Sequence, residues 1–210
     1  MATGPVRRGE LMPRPEIVIF TEEFSMKTLI ESIWPRIPKS DAVSLKCIPH
    51  QGVSDLLRSL PRKLKAWRNP NARFLILRDN DNGDCCERKE QLIEICQTAS
   101  RLEQCKVRIV CQELEAWFLG DLAAIDRASL TKRPVRRKQS QTPYREPDTI
   151  QDPIRSLDRL LKKDIVAAQQ KIIIAKAIGP EMDLDHNNSV SFNHTIDAIC
   201  ALIEDVAPER

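Results

Sequence analysis

The chain has 210 residues, of which 41% are hydrophobic and 30% are charged. A chain of this length buries roughly 70% of its unfolded surface, so it can fold without a disulfide or a metal. The composition is typical of a globular protein and excludes a disordered or membrane-embedded chain. The formal net charge of +3 is too small to indicate a polyanion-binding protein by itself. The distribution of charge along the chain is therefore more informative about partners than the net charge.

The seven cysteines are scattered, odd in number and without a CxxC pair. This pattern argues against the disulfide framework of a secreted protein. The first apolar run, residues 17–20, is too short for a signal peptide, and no stretch approaches the ~18 apolar residues of a membrane span. We therefore expect a reduced protein of the cytoplasm.

Strands and helices alternate along the first 125 residues. Helical spacing of apolar residues follows each of the first three predicted strands, with Ser25 and Ser54 as the expected N-caps of two helices. Pro61 is expected to kink the second helix or to begin a new one. The alternation predicts an α/β fold with a mostly parallel central sheet and helices on both faces. The strands are predicted at 16–21, 42–48, 73–78 and 107–111.

The composition changes between residues 131 and 145, where basic residues occur without any acid and two prolines limit regular structure. We expect a loop or an unstructured arm that contacts nucleic-acid phosphate. A solvated surface loop and a docking segment for an acidic partner protein remain open as alternatives. The basic residues expected to contact phosphate are Lys132, Arg133, Arg136, Arg137 and Lys138.

The chain is expected to have three parts. Residues 1–125 form the metal-binding core, residues 126–153 the basic loop or arm, and residues 154–210 a C-terminal helical extension packed on the core. Within that extension, helices are predicted near 154–163, 165–178 and 195–206.

Acidic residues follow three of the four predicted strands. Because the carboxyl ends of parallel strands lie at one edge of a sheet, we expect these side chains to lie close together. Asp79 and Asp81 are two residues apart, so in an extended chain they point to the same side. Clustered carboxylates repel one another, and Mg²⁺ or Mn²⁺, which bind oxygen ligands, would relieve that repulsion. The acids are Glu22, Glu23, Asp79, Asp81, Asp84, Glu113 and Glu115.

Other interpretations of these residues remain open. Asp and Asn are frequent in turns and helix caps, so residues 79–84 also fit a plain turn. A calcium loop and a haloacid-dehalogenase-type phosphatase fit the spacing poorly, and a restriction-enzyme-like core would combine Asp79 with residues 87–89. Zinc at Cys85 and Cys86 is disfavoured, because adjacent cysteines rarely suit a tetrahedral site.

Two further expectations concern residues at the same edge. His50 lies where the second predicted strand ends, so it is a candidate for the active edge. If residues 113–119 are helical, Glu113 and Glu115 point about 200° apart, and only one of them should reach the metal.

Four segments resemble one known family. Residues 20–25 resemble its strand ending in Glu-Glu-x-Ser, and residues 50–56 resemble its His-Gln-Gly-Lys-Ser-Asp-Leu turn. Residues 77–85 resemble its Arg-Asp-x-Asp-x-x-Asp-Cys loop, and residues 113–117 its Glu-Leu-Glu-Ala-Trp segment. The family consists of small bacterial proteins related to the Toprim domains of topoisomerases, primases and overcoming-lysogenization-defect (OLD) nucleases.

The resemblance implies a Toprim-like fold and a Mg²⁺-dependent endonuclease. In Toprim enzymes a Glu after the first strand and an Asp-x-Asp after a later strand hold Mg²⁺, which implies Glu22, Asp79 and Asp81 here. Glu23 stands where many Toprim proteins have Gly, so the ligand is either Glu22 or Glu23. We expect Asp84 as a further ligand and Glu113 as a further catalytic group, with Glu23, His50 and Glu115 at the active edge.

The resemblance also implies a partner. Members of the family are often encoded beside an ABC-type ATPase, which implies a role in defence against phage. A non-catalytic Toprim-like subunit that binds and regulates this ATPase is the alternative function.

Overall fold

The computed structural model describes residues 13–207, and its centre is a four-stranded sheet. All neighbouring strands are parallel, and their order across the sheet is β2–β1–β3–β4. This confirms the predicted parallel sheet. The strands are β1 (Glu16–Thr21), β2 (Ser44–Pro49), β3 (Ala72–Asp79) and β4 (Cys105–Val110).

Eight α-helices occur between residues 13 and 207, and short 3₁₀ turns join several of them. The first three follow β1, β2 and β3: they are α1 (Phe24–Ile33), α2 (Val53–Ala66) and α3 (Cys85–Thr98). The remaining five follow β4: they are α4 (Glu115–Leu119), α5 (Leu122–Arg127), α6 (Pro153–Asp158), α7 (Lys171–Ile178) and α8 (Val190–Glu204).

The two central strands are buried on both faces, as a parallel sheet requires. Alternate residues of β1 therefore enter different cores: Ile17 and Ile19 pack with α1 and the helices after β4. Val18 and Phe20 pack on the opposite face with α2 and α3. The predicted helical cover on both faces is thus confirmed, and the C-terminal helices enlarge one of the two cores.

Some local predictions were wrong. Ser25 lies inside α1, whose N-cap is Glu23, and α2 begins after Gly52 rather than at a Ser54 cap. Gly52 has a φ of 88°, a left-handed conformation that glycine adopts without a steric cost. Pro61 lies inside α2, which continues unbroken to Ala66.

The C-terminal helices also differ from the prediction. The two helices predicted between residues 154 and 178 are shorter, α6 and α7, and a 3₁₀ turn and irregular chain lie between them. The last helix begins five residues earlier than predicted, at Val190, where Ser189 accepts a hydrogen bond from the backbone N–H of Phe192.

The basic segment is a packed loop rather than an unstructured arm. Its Val135 is buried, and the Asp126 carboxylate accepts hydrogen bonds of 2.9 Å from the backbone N–H groups of Val135 and Arg136. The Gln139 side chain donates to the carbonyls of Leu119 and Tyr144. These bonds fix the backbone while the basic side chains stay exposed.

Two global features bear on the expected environment. Within residues 13–207, no helix combines the length and the apolar character that a membrane crossing needs. All seven cysteines carry free thiols.

Candidate active site

The carboxyl ends of β1 and β3 form the centre of the site. These strands are neighbours, but β1 continues towards β2 through α1 on one face and β3 continues towards β4 through α3 on the other. In open α/β sheets such a reversal leaves a crevice beyond the strand ends, where ligands bind. Glu22 and Glu23 follow β1 at this crevice, and Asp79 is the last residue of β3.

Asp79 is a buried carboxylate with an incomplete set of partners. It is 5% exposed, and its Oδ1 atom accepts no hydrogen bond from any residue between 13 and 207. Burial raises the pKa of Asp79 well above its ordinary value, and the nearby carboxylates of Glu22 and Glu23 raise it further. A bound cation would reverse this effect by favouring the charged carboxylate.

Glu22 faces Asp79 directly. One of its carboxylate oxygens, Oε2, accepts a hydrogen bond of 3.2 Å from the backbone N–H of Asp79. Burial raises the pKa of Glu22, and the charge of Asp81 adds to that increase. Asp79 and Asp81 therefore both act on Glu22, Asp79 through its backbone N–H and Asp81 through its charge.

A buried carboxylate at the other end of β1, by comparison, has both a hydrogen-bond donor and a cation as partners. Glu16 is 5% exposed, accepts a hydrogen bond of 2.9 Å from Trp67 Nε1 and lies 2.8 Å from Lys46 Nζ. Among the described residues, by contrast, neither Glu22 nor Asp79 forms a salt bridge. Glu22 and Asp79 at the crevice end of the sheet thus lack the ion pair that Glu16 has, whereas the neighbouring Asp81 lies 3.7 Å from Arg88 Nη1.

Asp81 lies in a turn, so the extended geometry expected for Asp79 and Asp81 was wrong. Strand β3 ends at Asp79, and Asp81 and Asn82 have positive φ angles of 45° and 55°. Asp and Asn tolerate this left-handed conformation better than most residues. The backbone N–H of Asp81 donates to the Gln112 carbonyl, 2.8 Å away, which attaches the turn to the end of β4.

Glu113 and Glu115 both approach the crevice, and the expectation that only one could do so rested on a wrong premise. Helix α4 begins at Glu115, so Glu113 precedes it and the 200° helical separation does not apply. Each residue has a buried Oε2 atom with no hydrogen-bond partner in the described part of the chain. Burial raises the pKa of both, to about 7 for Glu115.

Lys171, the first residue of α7, supplies a positive charge at the site. Its Nζ lies 3.2 Å from Glu23 Oε1 and 3.8 Å from Glu115 Oε1. Burial opposes the charge on Lys171, but Glu115 and Glu23 outweigh that effect and raise its pKa. The sequence offered no signal for this residue, because a single lysine 148 residues after Glu23 is unremarkable until the chain folds.

Glu23 is held differently from Glu22. Its Oε1 atom accepts a hydrogen bond of 2.6 Å from the Ser25 hydroxyl in addition to the contact with Lys171. Among the described residues, Glu22 has no hydroxyl or ammonium partner, and it accepts from the backbone N–H of Asp79 and feels the charge of Asp81. The Glu23 carboxylate is therefore occupied by Ser25 and Lys171, and Glu22 is the one of the two that could hold a cation.

Within residues 13–207, the hydrogen bonds of Asp84 and His50 involve none of the crevice carboxylates. Asp84 is exposed, and its side chain caps α3 by accepting from the backbone N–H groups of Cys86 and Glu87.

His50 is buried; its Nδ1 donates to the Thr21 carbonyl at 2.8 Å, and its Nε2 accepts from Lys63 Nζ at 2.7 Å. Burial lowers the pKa of His50, and Lys63 lowers it further. His50 is thus a neutral side chain with both ring nitrogens occupied.

The residues of the crevice suit a hard divalent cation. In the described part of the chain, Asp79, Glu113 and Glu115 each have a buried oxygen atom without a hydrogen-bond partner, and carboxylate oxygen is the donor that Mg²⁺ and Mn²⁺ prefer. Among the described residues, the three potential ligands that lie within 4.8 Å of one another are instead Asp84, Cys85 and Cys86, which are exposed at the start of α3.

Comparison with known proteins places the chain in a family. The profile of a family described as a domain of unknown function, DUF4276, matches residues 21–199. The chain belongs to this family. For this DUF4276 member the matched range runs from the end of β1 into α8, so it includes every carboxylate of the crevice and Lys171.

One solved structure also resembles this DUF4276 protein. The C-terminal region of the Burkholderia pseudomallei OLD protein aligns with 91% of this chain and 98% of its own length, at a TM-score of 0.53 and 15% identity. At this identity the similarity establishes the fold alone, and it confirms the predicted OLD-like α/β fold. No curated protein matches the chain in sequence.

Proposed function

We propose that this protein is a divalent-metal-dependent phosphodiesterase that cleaves nucleic acid. The main support is Asp79, a buried carboxylate with an oxygen that has no partner among residues 13–207. It meets Glu22 where the connections that follow the paired strands β1 and β3 run in opposite directions. Burying such groups without a cation is unfavourable, and proteins retain that arrangement chiefly at functional sites.

The residues that would hold Mg²⁺ or Mn²⁺ are Glu22, Asp79 and Asp81, with Glu113 and Glu115 beside them. When bound, such an ion neutralises the phosphate charge and lowers the pKa of water near a phosphodiester. Lys171 would bind a phosphate oxygen with its ammonium group, which without substrate contacts Glu23 and Glu115. Glu23 positions Lys171.

The exposed basic loop supports a polyanionic substrate. Five of its six basic side chains, at residues 132–138, extend from a backbone fixed by Asp126, so they present a local positive field that the net charge of +3 conceals. The similarity in fold to part of an OLD protein is compatible with this substrate class.

The biological role that we propose is that of the effector of an ATPase-linked system for defence against phage. This part of the proposal rests on the resemblance to a family often encoded beside ABC-type ATPases. The alternative is a non-catalytic subunit that binds and regulates such an ATPase. One observation favours that alternative: Lys171 already compensates part of the negative charge in the crevice without any bound ion.

Calorimetric titration of Mn²⁺ into matched Asp-to-Asn variants tests the metal site. Asp79→Asn should lower Mn²⁺ affinity by at least about tenfold, because a ligand charge is lost from a buried cluster. Asp84→Asn is the control, because Asn retains helix capping and Asp84 lies outside the cluster. Unchanged Mn²⁺ affinity in Asp79→Asn would refute the site, and a loss in Asp84→Asn would make Asp84 a ligand.

Cleavage assays then separate the two functions. Plasmid, linear DNA and tRNA are incubated with the wild type and both variants in Mg²⁺, Mn²⁺ or EDTA. We expect cleavage that needs the metal and Asp79 but not Asp84. Mn²⁺ binding without cleavage of any of the three nucleic acids would favour the non-catalytic subunit.

A further inference from the structure

An open cavity of about 650 Å³ adjoins the carboxylate crevice. Its walls come from three places: the start of α1, the β2–α2 turn and the segment that leads into α7. Glu23 and Lys171 belong both to this cavity and to the crevice. Any molecule in the cavity therefore lies directly beside the proposed site of phosphodiester cleavage.

The cavity walls combine apolar surface with a few amide groups. Phe24, Ile172 and Ile173 line it and are 52%, 50% and 63% exposed. Large apolar side chains of this kind are normally buried, so their grouping around one cavity indicates a binding surface. Gln51, Gln169 and Gln170 add side-chain amides, which can both donate and accept hydrogen bonds.

A nucleobase matches this lining. It is flat and apolar on its faces, which suits stacking on the exposed Phe24 ring, and its edges carry donors and acceptors that suit the glutamine amides. The cavity volume lies within the range of sites for small molecules and cofactors and exceeds the size of one base. Lys171 at the border with the crevice suits the phosphate that accompanies such a base.

We propose that this cavity binds an unpaired nucleobase next to the phosphate held at the crevice. Bases in a duplex are stacked and paired, so they would enter the cavity only by flipping out, which costs a few kcal/mol. The preferred substrate class is therefore single-stranded nucleic acid, or an unpaired end or loop. This inference rests on the proposed function, because it assumes that the crevice holds the phosphate.

Binding measurements test the cavity without any catalytic step. Fluorescence anisotropy in EDTA and in Ca²⁺, which binds oxygen ligands as Mg²⁺ does, compares a 12-nucleotide DNA strand, the same RNA strand and the DNA duplex. Phe24→Ala should weaken single-strand binding by about fivefold or more, with duplex binding unchanged, because loss of one stacking contact has an effect of this size. Phe24→Tyr keeps an aromatic ring and should bind the single strand as tightly as the wild type does. Val190→Ala, which shortens another exposed apolar side chain on α8, is the control.

A strand that contains 2-aminopurine gives a second readout, because stacking on Phe24 should quench its fluorescence in the wild type and in Phe24→Tyr but not in Phe24→Ala. Unchanged single-strand affinity and unchanged quenching in Phe24→Ala would overturn the proposal. The proposal would also be overturned if Phe24→Ala no longer bound an ATPase partner but still bound nucleic acid, since the cavity would then be a protein interface. The DNA and RNA strands distinguish the two sources of the base.

The outcomes also separate this inference from the proposed function. If the wild type cleaves duplex and single strand equally and Phe24→Ala changes neither, the cavity proposal fails and the nuclease stands. If single-strand binding depends on Phe24 but Mg²⁺ and Mn²⁺ support no cleavage, the nuclease fails and the base-binding cavity stands.

Discussion

Lys171 and Glu23 form an ion pair of 3.2 Å although 148 residues separate them along the chain. The pair links the first residue of α7 to the end of β1, and Lys171 also lies 3.8 Å from the buried Glu115. The C-terminal extension therefore completes the charge distribution of the crevice. A sheet without that extension would leave these carboxylates without their cation.

Replacing Lys171 should destabilise the metal-free protein in a pH-dependent way. Lys171→Met keeps most of the apolar stem but leaves Glu23 and Glu115 without the ammonium group. In EDTA at pH 8 we expect the free energy of unfolding to fall by about 1–3 kcal/mol, between the values for exposed and buried ion pairs. At pH 5 the loss should be smaller, because Glu115, with a pKa of about 7, is then protonated.

Urea unfolding at the two pH values measures this effect. Lys27→Met is the matched control, because Lys27 forms a half-exposed pair with Glu31 along α1, and its loss should cost less than about 0.5 kcal/mol. An equal loss at pH 5 and pH 8 in Lys171→Met would mean that packing of the stem, and not charge, explains the effect.

Glu115 should make the metal-free protein less stable as the pH rises. Its pKa in the folded chain is about 7, above the ordinary 4.5, so the folded state holds the proton more tightly than the unfolded state does. The stabilisation is complete below pH 4.5 and disappears as the pH rises to 7 and above. By the relation of about 1.4 kcal/mol per pKa unit, the change is on the order of 3 kcal/mol.

Glu115→Gln tests this pH dependence. In EDTA, the free energy of unfolding of the variant should fall less than that of the wild type between pH 4.5 and pH 8, whereas Glu94→Gln, on the exposed side of α3, should follow the wild type. Mn²⁺ should stabilise the wild type more at pH 8 than at pH 5, because protons compete with the metal for the carboxylates. Parallel curves for Glu115→Gln and wild type would contradict the prediction.

The basic loop should bind phosphate without reading sequence. Each neutralised duplex phosphate contributes about −0.9 to the slope of log affinity against log salt concentration. Replacing four loop residues by Gln should flatten that slope by up to about 3.6 and weaken binding to unrelated sequences equally, with Mn²⁺ affinity unchanged. The four residues are Arg133, Arg136, Arg137 and Lys138.

A second quadruple variant controls for the loss of four positive charges. Its four residues are exposed and lie on or just after α2: they are Arg58, Arg62, Lys65 and Arg68. It should retain the wild-type slope. If the loop variant keeps its slope and DNA affinity but no longer copurifies with the ATPase, the loop is a protein interface.

The sequence by itself determined the sheet. Short continuous apolar runs such as residues 17–20 and 74–77 are typical of strands buried on both faces, so strand positions were predicted to within a few residues. The parallel arrangement then followed from the intervening helices. It also placed Glu22 and Asp79 at one edge, because every strand ends on the same side of such a sheet.

Local signals were weaker where one residue type suits several structures. Asp84 is acidic, as a metal ligand would be, but Asp is also a strong helix N-cap, and the structure uses it to cap α3. Asp81 was placed by the period of an extended strand, but the strand ended two residues earlier. Such choices depend on where an element ends, which local sequence specifies poorly.

Only the tertiary structure decided which distant groups meet in the crevice. Lys171 reaches Glu23 and Glu115, and Phe24 meets the segment before α7, because the C-terminal helices pack against the face of the sheet that α1 covers. The burial that raises the pKa of Asp79 is likewise a property of the packed chain. Long-range packing determines these contacts and this burial, and the spacing of residues along one segment encodes neither of them.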